Sequence, residues 1–159
     1  MYRLKVEAIT PSTVRVDQLF EITFKFTNIH PSNDFPGIDI NIRMIWANID
    51  PLNIRVDRSF RVEALDPGEL FEKKFFEKPR IDGTLLFYLS EFEAKAVNGN
   101  HVDFFLPDDN ILNMGQIFQV VRVKSSEEVY QFWANIIAAG SLVLLIIFQL
   151  IGWRLQGFI

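Results

Sequence analysis

The chain has 159 residues, no cysteine, 16 basic and 20 acidic side chains, and a formal net charge of −4 at pH 7. The missing thiols exclude disulfides and thiolate metal sites. The acidic balance speaks against a nucleic-acid partner, which would want a basic face, and offers no attraction to anionic lipid head groups.

The first residues, Met1 to Glu7, alternate polar and apolar, and Leu4, Val6 and Ala8 predict a first strand. No apolar run precedes a cleavage site there, so no signal peptide is expected in the sequence as it stands. Phe20, Ile22, Phe24 and Phe26 alternate with Glu21, Thr23, Lys25 and Thr27, which predicts a strand with one wet face. Ile38, Ile40, Ile42, Met44 and Trp46 repeat that pattern. Ile54 with Val56, and Phe60 with Val62, predict two short strands. Glu69 to Glu77 and Thr84 to Val97 predict two more. Asn98-Gly99 then predicts a type I′ hairpin turn, His101 to Leu106 an antiparallel return, and Ile117 to Val123 a last strand. Turn residues at Thr10-Pro11-Ser12, His30 to Asp34, Asp66-Pro67-Gly68, Ile81-Asp82-Gly83 and Pro107 to Asn110 separate them. Eight or nine short strands so spaced predict an all-β domain, a β-sandwich over residues 1–124.

Ser125, with Glu128 three places later, predicts a capping box and a helix that begins near Ser126, with residues 125–131 as a short junction. No Gly, Ser or Pro stalk separates Val123 from Phe132, so the domain is expected to sit directly on the bilayer. Residues 132–153 carry no charge and give about 33 Å of helix, enough to cross a hydrocarbon core of about 30 Å. A tail, residues 154–159, follows. Trp133, Trp153 and Arg154 are the expected membrane-belt residues. Asn135, Leu142 and Gln149 recur every seven residues, with Ala139 and Ile146 between them and the small Ala138 and Ser141 alongside. Unpaired amides are costly in lipid, so this stripe is the candidate interface for another helix, from a second copy or a different protein. The competing reading has both amides near the interfaces, reaching water.

The side on which the domain lies is left open. It is cytoplasmic if Met1 is the true start, and extracytoplasmic if a signal peptide has been lost. Flanking charge, Arg122 and Lys124 against Arg154, leans toward the cytoplasm.

Chemistry-bearing residues are sparse. His30 lies in a Pro-Ser-Asn loop and His101 beyond a turn, with no nucleophile or metal-ligand spacing beside them. Asp108-Asp109-Asn110, with Asp103, supplies oxygens of the kind Ca²⁺ wants, but reads first as ordinary turn chemistry. No catalytic residue, cofactor or metal is expected. The sixteen phenylalanines include the adjacent pairs Phe75-Phe76 and Phe104-Phe105. One of each pair must leave the core, which makes these four the candidate partner patch.

The segment Ile9-Thr10-Pro11-Ser12-Thr13-Val14-Arg15-Val16-Asp17-Gln18-Leu19-Phe20 through Thr27-Asn28 resembles the opening of an Ig-like domain of the CARDB/NEW3 kind, with Asp17 where glycine is usual. Leu65-Asp66-Pro67-Gly68-Glu69 resembles the L-x-P-G-E turn of such domains, and Asp82-Gly83-Thr84 the glycine that opens their strand F. The resemblance covers residues 2–89. It implies an Ig-like sandwich with a non-enzymatic adhesive, carbohydrate-associated or structural role. With the uncharged helix, the expectation is a single-pass membrane protein, an accessory or scaffolding subunit whose partners are the bilayer, other membrane helices and a protein or glycan ligand. The alternative is a cell-surface adhesion or carbohydrate-binding module, for which Tyr88, Trp46 or an outward Phe would stack on sugars.

Overall fold

A computed structural model describes residues 1–47, 55–90, 95–113 and 115–155, without the side chains of 55 and 152–155. It holds two compact units, Met1–Val123 and Lys124–Ile159. The first is a two-sheet β-sandwich of β1 (Tyr2–Ile9), β2 (Thr13–Arg15), β3 (Phe20–Asn28), β4 (Ile38–Trp46), β5 (Arg55–Val62), β6 (Leu70–Glu77), β7 (Gly83–Leu89), β8 (Val102–Phe105) and β9 (Ile117–Lys124). The second is the helix α1 (Ser126–Leu155). One sheet runs β6-β3-β1-β8 and the other β2-β9-β7-β4-β5. That places β1, β3 and β6 opposite β4, β7 and β9, the division of strands A, B, E and C, F, G in Ig-like domains.

The alternating residues of β3 and β4 supply the middle of the core, with Phe24, Phe26, Ile42 and Met44 buried. Much of the phenylalanine content is there too. Phe24 lies 6.0 to 6.4 Å from the rings of Phe60, Phe75, Phe87 and Phe118. Phe60 extends the cluster to Phe26 and Phe71. Each such side chain contributes about 1.5–3 kcal/mol by leaving water.

Several elements depart from the sequence reading. β5 is one strand, paired without a break from Ile38↔Val62 to Ile45↔Arg55. Arg58 interrupts its apolar alternation because it faces inward, where it forms an ion pair with Glu77 of β6, across the two sheets. Ile54 lies outside the described residues. β7 ends at Leu89, and Ser90 already lies outside the strand expected to reach Val97; residues 91–94 lie outside the described residues. At the turn beyond, Gly99 has φ of 82° but Asn98 is not in the left-handed region, so the loop is not type I′. Gly99 N donates to Ala96 O and Ala96 N to Asn100 O, which closes a three-residue loop. The antiparallel return is one bridge, Lys95↔His101, after which β8 crosses to the other sheet and pairs parallel to β1. Finally, β2 offers a single inward residue, Val14, too little for periodicity to reveal.

The end of β3 and the Leu65–Glu69 turn, far apart in sequence, meet in space. Asn28, at the end of β3, is fully buried. Its Nδ2 donates to Leu65 O and Asn33 O, each at 3.0 Å, and its Oδ1 accepts from His30 N at 3.1 Å. Its backbone N donates to Glu69 O, and its carbonyl accepts from Gly68 N. One amide thus joins the end of β3, the loop after it and the Leu65–Glu69 turn, in which Gly68 has φ of 81°. Asp17 also has a positive φ, 62°, a conformation that glycine adopts without steric cost.

Candidate functional site

Among the described residues one helix is long and apolar enough to cross a membrane, Ser126–Ile151. Its start is set locally. Ser125 Oγ accepts from Glu128 N at 3.1 Å, and Glu127 and Glu128 occupy the first turn, where the helix dipole favours negative charge. Every side chain from Tyr130 to Ile151 is exposed. A helix that presents apolar groups on all faces is stable only where lipid or protein covers it. Asn135, Ala138, Ala139, Leu142, Ile146 and Gln149 fall within an arc of about 100°. Ser141 borders that arc, and its Oγ donates to Ile137 O at 2.8 Å, so the hydroxyl is satisfied within its own helix. Trp133 stands edge-to-face with Phe132, centroids 5.8 Å apart. The side chains of Trp153 and Arg154 lie outside the described residues.

The two phenylalanine pairs divide between inside and outside. Phe75 packs on Phe24 and Phe60, and Phe104 is buried. Phe76 is 59% exposed, while Phe105 is half-buried with the Arg3 guanidinium over its ring. The four do not form one surface. Phe76 and Phe105 lie on β6 and β8, opposite edges of their sheet, separated by about 14 Å across three strand spacings and by about 20 Å along the strands, since Phe76 is level with Glu21 and Phe105, through Lys5, with Thr27. Charges occupy the face between them, with Lys74 Nζ 3.1 Å from Glu21 Oε1. The Glu21 carboxyl is held below the usual range by its hydrogen bonds from Lys74 and Thr23. Lys74 is raised in turn by Glu21.

An apolar row that the sequence reading passed over lies on the outer face of the other sheet. Ile45, Leu86 and Val120 sit side by side in register on β4, β7 and β9, with Tyr88 beside Ile117 one row on. Val120 is 48% and Ile117 47% exposed. The signal was the unbroken run Leu85 to Leu89, which has no polar residue to mark a wet face. Trp46 faces the core, so it offers no outward stacking surface, and Tyr88 is half-buried with Arg43 5.9 Å above its ring.

The histidines and acidic residues have local partners. His30 Nδ1 accepts from Ser32 N and Asn33 N, and His101 lies 3.2 Å from Asp103. Lys5 Nζ sits 2.7 Å from Asp109 Oδ1, while Asp108 accepts from the backbone and side-chain nitrogens of Asn110. These oxygens serve a turn and an ion pair. Among the described residues no group of three or more His, Asp or Glu is placed to hold a metal ion.

One end of the sandwich contains a cavity of about 350 Å³ between the sheets. Phe20, Met44, Trp46, Val56, Ile81 and Leu85 form its apolar wall. Glu77, Lys78 and Arg80 also line it, from the end of β6 and the connection to β7. That connection is held to the Asp17 turn, where Asp17 N donates to Pro79 O at 2.7 Å and Lys78 Nζ lies 3.5 Å from Asp17 Oδ1.

No protein-family model matches the chain, and no curated protein matches it. Among solved structures it is similar to a CARDB domain of a Pyrococcus furiosus protein, in complex with di-metal ions. That domain is 20% identical, with 77% of this chain and 89% of that one covered, at a TM-score of 0.49. It is also similar to part of the β-glucosidase from Listeria innocua in complex with isofagomine, at 12% identity over 79% of this chain and 16% of that one, TM-score 0.44. A third is the Pseudomonas fluorescens alkylpurine DNA glycosylase bound to DNA containing an abasic site analog, at 10% identity over 76% of this chain and 30% of that one, TM-score 0.44.

Proposed function

We propose that the protein is a non-enzymatic, single-pass membrane protein, an accessory or scaffolding subunit whose Ig-like domain binds another protein of a membrane assembly. The observation that carries this reading is α1, uncharged from Val129 to Trp153 and exposed from Tyr130 to Ile151. Such a surface calls for lipid around it. Asn135 and Gln149, on one arc with Ala138 and Ala139, support the recruitment of a second helix, because an amide in hydrocarbon gains most from a partner. Of the rings the adhesive alternative would use, Trp46 is inward and Tyr88 is covered by Arg43, while Phe76 is outward beside the Glu21–Lys74 pair. No cofactor or nucleic acid enters this reading.

The test uses the full chain in native membranes. Resistance to carbonate extraction is expected, and release into the aqueous fraction would refute the anchor. Protease added to sealed vesicles then assigns the side of the domain. Cysteine-free crosslinking through lysines should yield a species larger than the monomer, reduced several-fold by Asn135→Leu with Gln149→Leu. A monomer only, or crosslinking unchanged by the double variant, removes the helix-recruiting role.

A further inference from the structure

We infer that the cavity at the end of the sandwich binds a small amphipathic anion: an acyl or alkyl chain that ends in a carboxylate or phosphate. The walls come first. Phe20, Met44, Trp46 and Leu85 are buried core residues that also face this space, so the core is incompletely filled at this end. A volume of about 350 Å³ lies within the range of small-ligand pockets and would hold about ten waters. Water against this apolar wall finds few hydrogen-bond partners, and an alkyl chain displaces it favourably.

The polar lining selects the head group. Glu77 is the one carboxylate among the described lining residues, and the inward guanidinium of Arg58 already neutralises it. Lys78 and Arg80 are exposed and belong to one short connection. Among the described residues, Lys78 Nζ pairs with the exposed Asp17 at 3.5 Å, a long contact. Among the described lining residues the balance is positive, Lys78 and Arg80 against a Glu77 that Arg58 matches, in a protein that is acidic overall; Asp17 and Asp82 stand beside these cations but do not line the cavity. A cationic head group would meet that excess. An anion complements it while its chain lies against Trp46. The inference rests on the domain alone, so its failure leaves the membrane reading standing.

Trp46 provides the readout. In the full chain with Trp133→Phe and Trp153→Phe, it is the sole indole. The protein is held in discs of zwitterionic phosphatidylcholine and titrated with 8-bromooctanoate, whose terminal bromine quenches an indole on contact. Saturable quenching is expected, weakened about tenfold by Lys78→Glu with Arg80→Glu and by replacing the probe with 8-bromooctanol. Val56→Phe, which fills the wall, should abolish saturation. The two charge changes are on exposed side chains and keep the test valid if Val56→Phe does not fold. Discs with bromine-labelled phosphatidylglycerol acyl chains separate the sources of the ligand. Quenching without added acid, relieved by octanoate, supports a lipid tail as occupant, and its absence alongside octanoate binding supports a free carboxylate. Linear, unsaturable quenching, indifference to the charge reversal, or tighter binding of 8-bromooctylammonium would overturn the proposal.

Discussion

Replacement of Asn28 by alanine tests whether one buried amide holds the open end of β3 to two loops. The substitution removes three side-chain hydrogen bonds, to Leu65 O, Asn33 O and His30 N. A hydrogen bond contributes about 1 kcal/mol net, and a buried group left without its partner costs about 1–3 kcal/mol. Asn28 and Leu65 are both buried, whereas Asn33 is exposed and can turn to water. The worked loss is therefore about 3 kcal/mol, or a fall of about 10 °C in Tm for a domain of this size. Thermal and urea unfolding of the full chain, followed by near-ultraviolet circular dichroism, measure it. Asn28→Asp sharpens the test. It keeps the acceptor for His30 N but sets a carboxylate against two carbonyl oxygens. That environment raises the carboxyl's folded pKa, so the variant should be less stable than Asn28→Ala at pH 7 and recover as pH falls toward the unfolded value of about 3.9. A loss below about 0.5 kcal/mol for Asn28→Ala would refute the account, since surface changes fall in that range.

Further outcomes follow from single positions. Asp17, at φ of 62°, should tolerate glycine with no loss of stability, whereas Asp17→Val should cost about 1–2 kcal/mol in urea unfolding. Phe24→Ala, which removes the ring at the centre of four others, should cost about 3–5 kcal/mol, with the urea midpoint shifted and the slope unchanged. Glu21 is lowered from 4.5, chiefly by the hydrogen bond from Lys74, so its contribution is present above that value and lost as pH falls through the depressed one. Lys74 is raised from 10.5, so its share is present below that value and lost as pH rises through the higher one. Glu21→Gln should therefore be slightly less stable than the parent at pH 6 in low salt, and the gap should close in strong acid and in high salt. An equal gap at every pH would show that the pair contributes nothing.

What could be read along the chain was what neighbouring residues decide among themselves. The period-two runs of β3 and β4 match the observed strands, because alternation places one set of side chains in the core whatever lies opposite. The cap at Ser125 and the uncharged stretch of α1 were legible for the same local reason. The positive φ of Asp17 has no such local signature, since aspartate is common in turns of either hand.

What escaped depended on partners distant in sequence. Arg58 split β5 in the sequence reading because its counter-charge, Glu77, arrives from the other sheet. The parallel pairing of β8 with β1 leaves no local trace, since it joins the two far ends of the domain. Alternation required one member of Phe75-Phe76 and of Phe104-Phe105 to leave the core, but register against β3 and β1 chose Phe76 and Phe105 and set them on opposite edges. The apolar row Ile45, Leu86 and Val120 exists because three strands align, and the cavity because several separate segments fail to fill the space between them. Local backbone preference and side-chain period are written in adjacent residues, whereas pairing, packing and voids are properties of surfaces that only the folded chain brings together.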